Sequence, residues 1–200
     1  MLRKLITTAV AATTVGTSTL LMPAADAAPN TTVQLGGVHE TAPSLEALTE
    51  LVIQRILVGD DVAASKYFSG KPVDDPVREQ QILDSVRASA VQLGIDPDST
   101  AAFFRAQIEA SKVVQRGLLA YWAAHPDKAP TSGPDLNVIR QKLDALTTQL
   151  LAELVRVDDL RGSGLRCDIS LAIANATGAA HHHLDPLHRR ALRTASTATC

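Results

Sequence analysis

Six polar residues sit at positions where the helical period calls for apolar ones. After Pro97, residues Phe104, Ile108, Ser111, Gln115, Leu118 and Trp122 step by 4, 3, 4, 3 and 4, which traces one face of an α-helix. Ser111 and Gln115 interrupt that stripe in its middle. Other stretches repeat the theme with cations. Arg55 follows Leu48, Leu51 and Val52. Lys66 lies four residues after Val62. Arg78 lies four before Ile82 and eight before Val86, and Arg140 lies four after Leu136 and three before Leu143. The spacing points each of these four cations toward the core. A buried charge without a partner costs several kcal/mol even after relaxation. The stripes offer one nearby acid, Glu79, which cannot balance four cations. A small ligand carrying two carboxylates would, and the planar fork of arginine grips a carboxylate through two parallel hydrogen bonds. The competing reading is that the long stems lie on the apolar face and keep their heads in water.

The elements that must position these residues are helices. Ser44 reads as an N-cap with Glu46 in the first turn, opening a helix that ends at Gly59. A second piece runs over 61–69. Asp75-Pro76 pairs a capping acid with proline at the first helical position, and that helix reaches Gly94. Asp96-Pro97 opens the next, which continues to about Ala124. Pro126 and residues 129–134 form a loop, and another helix spans 135–161 before Gly162 and Gly164. Shorter helices follow over 166–177 and 184–198. With no alternating strand pattern and no internal repeat, the expectation is an all-α bundle of about six helices.

The chain has 200 residues, 46% of them hydrophobic, which suits one domain with a sizeable core. A net charge of −2 and only 3% aromatic residues argue against a nucleic-acid partner. Arg3 and Lys4, an apolar stretch from Leu5 to Leu21, and Ala25-Asp26-Ala27 form a secretory signal pattern, with cleavage near Ala27. Threonines and serines dilute the stretch, which weakens the alternative of a retained membrane anchor. The expected organisation is a signal peptide over 1–27, a flexible leader over 28–43 and a helical domain over 44–200. The destination is secreted or periplasmic, with no membrane contact after cleavage. Cys167 and Cys200 are an even pair in an exported chain, which favours a disulfide over two free thiols. Closing that loop would add roughly 3–4 kcal/mol in the chain-entropy picture.

These residues resemble the all-helical (AroQ-type) chorismate mutases, in particular the exported subclass. The resemblance spans about Leu45 to Cys200. It rests on Arg55, on Lys66 eleven residues later, and on Arg78-Glu79 twelve and thirteen after that. It continues through Ala110-Ser111-Lys112-Val113-Val114-Gln115, and through Pro134-Asp135-Leu136 leading to Arg140. Cys167 and Cys200 flank His183-Leu184-Asp185 and Arg190-Ala191-Leu192 in the manner of that subclass. The resemblance implies the rearrangement of chorismate to prephenate without a cofactor. By it, Arg55 and Arg140 hold the substrate carboxylates, Arg78 adds to the clamp and Ser111 hydrogen-bonds to one carboxylate. Lys66 and Gln115 donate to the ether oxygen, and Glu79 accepts the ring hydroxyl near the backbone of Asp75. It further implies a site complete within one chain and a homodimer. Ile82 departs from relatives that carry an amide there.

Other features carry less. His181-His182-His183 cannot converge on one metal ion from a helix, because consecutive helical residues diverge. No metal site is expected. Gly162-Ser163-Gly164 lacks the preceding strand of a phosphate loop. The rival function is an exported helical module that binds a small dicarboxylate without turning it over. Arginines alone would serve such a binder, whereas Lys66 and Gln115 together would have no task in it.

Overall fold

A computed structural model describes residues 44–200. The signal peptide and leader expected over 1–43 lie outside the described residues. Among these there are seven α-helices and no strand. They are α1 (Glu46–Ser69), α2 (Pro76–Leu93), α3 (Pro97–Ala124), α4 (Leu136–Arg156), α5 (Asp158–Arg161), α6 (Leu165–His181) and α7 (Pro186–Ala195). Short 3-10 turns cover Pro126–Lys128 and Ser196–Ala198. None of the described helices is long and apolar enough to cross a membrane.

Local chemistry sets most helix starts. The Asp75, Asp96 and Asp185 side chains accept from Arg78 N, Ser99 N and His188 N, each ahead of a proline that loses no hydrogen bond in the first turn. Asp135 does the same for Asn137 N. At the far ends, Gly70 (φ 65°) and Gly94 (φ 76°) take the left-handed conformation that closes α1 and α2.

Three expectations about boundaries are corrected. Helix α1 runs unbroken through Gly59. That glycine is a packing residue, since a Cβ there would stand 3.2 Å from the Val114 side chain on α3. Ser44 is not the cap of α1. The N-cap position is Leu45, which makes no side-chain cap bond and is fully buried, so the start is anchored by packing. The helix expected over 135–161 stops at Arg156, and the separate turn α5 brings Leu160 and Arg161 inside.

Helix α3 is the hub, packed against α1, α2 and α7, while α1 also packs on α4 and α6. The core joins Leu48, Ile53 and Ile56 of α1, Leu83 and Val86 of α2, Phe103 and Phe104 of α3, and Leu150 and Leu154 of α4. Burying each such side chain is worth about 1.5–3 kcal/mol. A disulfide between Cys167 and Cys200 ties α6 to the chain end, with Cα atoms 5.8 Å apart.

Candidate active site

Helices α1 to α4 and the α1–α2 connection enclose a cavity of about 320 Å³, in the size range of small-ligand pockets. Arg55 and Lys66 reach it from α1, and Asp75 from the connection. Arg78 and Glu79 come from α2, Ser111 and Gln115 from α3, and Arg140 from α4. All eight residues singled out by sequence therefore line one cavity, and one chain supplies all of them.

Burial differs among the cations. The expectation that each of the four points into the core holds for Arg55, which is 6% exposed, and partly for Lys66, which is half-buried. Arg78 and Arg140 are exposed residues at the cavity edge. They sit near the starts of α2 and α4, where a long stem can follow the wall while its head stays in water.

Arg55 is under-partnered. Its Nη1 donates to Leu143 O at 3.3 Å and to Thr147 Oγ1 at 3.4 Å, both long, and among the described residues no carboxylate lies within 4 Å of its guanidinium. Burial lowers its pKa to about 10, against a weaker pull from Asp144, so it stays charged at neutral pH. A guanidinium has five N–H donors, and most of these have no protein acceptor here.

Lys66 stands in the last turn of α1, where its Nζ donates to Val73 O at 2.9 Å. Burial lowers its pKa, while Asp75, Asp74 and Glu79 act in the opposite direction. On α3, Gln115 Nε2 donates to Ser111 Oγ at 2.9 Å, which leaves the second amide N–H unassigned, and the buried Gln115 Oε1 has no partner. Glu79 is held from two sides. Its Oε1 accepts from Asp75 N at 3.1 Å and its Oε2 from Lys112 Nζ at 2.7 Å.

Sequence reasoning gave Lys112 no role, yet it is 7% exposed and borders the cavity. Its ammonium meets Glu79 at 2.7 Å, Glu109 at 3.0 Å and Asp74 at 3.3 Å. The idea that Glu79 is the one acid at hand is corrected accordingly. Glu109, three residues earlier on the same helix, was a readable signal; Glu79 and Asp74 come from distant sequence. Thr147, which accepts from Arg55, was also missed. The three histidines sit at the end of α6. His182 Nε2 pairs with Glu50 Oε2 at 2.8 Å, and His183 takes a positive φ of 49°.

Residues 46–116 match the family model described as chorismate mutase type II. A secreted chorismate mutase of Mycolicibacterium smegmatis is 38% identical over 173 residues, covering 83% of this chain and 93% of the relative. The chain belongs to the chorismate mutase type II family. A secreted chorismate mutase of Mycobacterium tuberculosis is 31% identical over 156 residues, covering 78% of each chain. The crystal structure of a chorismate mutase from Burkholderia phymatum superposes with a TM-score of 0.74 at 34% identity, covering 78% of this chain and 95% of that one. The family match spans α1, α2 and α3 as far as Arg116. It thus takes in every residue singled out for the cavity except Arg140 on α4. The family is one of isomerases.

Proposed function

We propose that this chain is an exported chorismate mutase that converts chorismate to prephenate in the cavity between α1 and α4. One observation carries the reading: Arg55 is buried, charged and short of protein acceptors where it lines a cavity of small-ligand size. A carboxylate entering the cavity would meet donors that no protein acceptor already occupies.

The substrate has two carboxylates, an ether oxygen and a ring hydroxyl. Arg55 and Arg140 grip the carboxylates, Arg78 adds to the clamp from the rim, and Ser111 donates to one carboxylate. The clamp selects the compact conformer in which the bond-forming carbons approach. As the C–O bond breaks, negative charge gathers on the ether oxygen. Lys66 and the free N–H of Gln115 donate to it more strongly in the transition state than in the ground state. By analogy with oxyanion donors, one such group is worth about 3–4 kcal/mol. Glu79 accepts the ring hydroxyl, close to the backbone of Asp75.

Export is supported by the relatives named as secreted, with residues 1–27 as the signal peptide. The expected assembly is a homodimer in which each protomer carries its own cavity.

The direct test is loss of chorismate absorbance and appearance of prephenate with purified protein. Binding without consumption would leave a dicarboxylate-binding module instead. A second test turns on Gln115, whose amide donates at any pH, whereas glutamate donates only when protonated. Activity should stay broad through neutral pH, and Gln115→Glu should move the optimum to acid. An unshifted profile in that variant would count against the ether-oxygen role.

A further inference from the structure

Lys112 collects three carboxylates, and only one of them faces the cavity. Glu79 lines the cavity, whereas Glu109 and Asp74 are not among its lining residues, and Asp74 is also held by Arg116 Nη2 at 2.7 Å. A bare carboxylate in a pocket built for a dianion would repel its own ligand. Lys112 removes that conflict, because the full positive charge of a nearly buried ammonium sits 2.7 Å from Glu79 Oε2. The same contact and the Asp75 N–H at 3.1 Å fix both oxygens of Glu79, so its remaining lone pairs have a set direction.

Resting on the chorismate reading above, we infer that Lys112 is a positioning residue acting through Glu79: it neutralises and aims that carboxylate so that Glu79 can accept the substrate's ring hydroxyl without repelling the substrate. Burial alone would lower the pKa of Lys112. The hydrogen bonds that its ammonium donates to Glu79, Glu109 and Asp74 outweigh it and hold the ammonium well above its ordinary value, so the charge is permanent. Glu109 and Asp74 have a separate task in this arrangement. They keep Lys112 in place, and each leaves it enough charge to serve Glu79.

Steady-state kinetics on five proteins decide the matter: wild type, Glu79→Gln, Glu109→Gln, Lys112→Met and the double variant Glu79→Gln with Lys112→Met. The hydroxyl contact exists in ground and transition states alike, so its loss should appear chiefly in KM. Lys112→Met should raise KM for chorismate about 10-fold or more in the wild-type background. In the Glu79→Gln background it should cost less than about 3-fold, because the group it acts on has gone. Glu109→Gln should stay within about 3-fold of wild type. Equal losses from Lys112→Met in both backgrounds would overturn the inference and leave a purely architectural lysine. If Lys112→Met does not fold by circular dichroism, the two single carboxylate variants still decide. Equal KM effects from Glu79→Gln and Glu109→Gln would refute a path through Glu79. A wild-type protein that does not consume chorismate would instead sink the reading on which the inference rests.

Discussion

Two buried arginines show how differently the two parts of the molecule treat the same side chain. Arg55, facing the cavity, is 6% exposed, and Arg161, beside the disulfide-closed C-terminal part, is 8% exposed. Arg161 is surrounded by acceptors. Its Nε donates to Thr199 O at 2.7 Å, its Nη2 donates to Ser99 Oγ at 3.0 Å and Ala198 O at 3.4 Å, and its guanidinium carbon lies 5.9 Å from the Phe103 ring centre. Arg55 has two long bonds from a single nitrogen. Burial alone therefore marks neither residue as functional. What separates them is the set of donors still waiting for a partner, and whether those donors border an open volume. One arginine binds the chain to itself; the other leaves most of its donors facing the cavity.

The sharpest way to break this comparison is to truncate each arginine to methionine. Arg55→Met should lower kcat/KM about 100-fold or more, as expected when a desolvated charge pair with the substrate is lost. Its melting temperature should hold or rise, since an uncompensated buried charge has gone. Arg161→Met should do the reverse. It leaves Thr199 O and Ser99 Oγ unpaired and should cost roughly 1.5–3 kcal/mol, or about 3–12 °C in melting temperature for a domain of this size. The kcat/KM of the folded fraction should stay near wild type. Thermal melts and kinetics on the two variants test both halves. If both lost stability and kept activity, the contrast between them would be gone.

The sequence made much of this arrangement legible, and its limits have a physical pattern. Aspartate-proline pairs announced the starts of α2 and α3, and Gly94 the end of α2, because caps are local interactions between residues three or four apart. Six of the eight cavity residues stood out because polar side chains broke an apolar period on separate helices, whereas the roles of Asp75 and Glu79 came from the family resemblance. Gly59 was misread as a stop because its reason, contact with Val114, lies on another helix. Lys112 and Arg161 were given no role because Glu79 and Thr199, which meet them in the fold, are 33 and 38 residues away, and Glu109 beside Lys112 hinted at only one of its three partners. Periodicity can say that a polar residue faces inward. It cannot say whether the fold will meet it there with an acceptor.

The smallest expected effect concerns the seam between the two regions. His188 on α7 is 7% exposed. Its Nε2 meets Asp60 Oδ1 of α1 at 2.9 Å, and its Nδ1 meets Asp185 Oδ1 at 2.9 Å. With a carboxylate at each nitrogen the ring is a cation. The hydrogen bond to Asp60, followed by that to Asp185, outweighs burial and raises its pKa from 6.5 to about 9. The folded chain thus holds this proton more tightly than the unfolded chain, so protonation stabilises the fold. That contribution is fully present below about pH 6.5, fades as pH rises toward 9, and is gone above it. His188→Gln should therefore melt below wild type at pH 6, and the gap should narrow steadily in melts taken at pH 8 and pH 10. A gap independent of pH would mean that the ring serves only as filler. A gap that closes would show that this seam, unlike the cavity wall at Arg55, is held by charges the protein supplies on both sides.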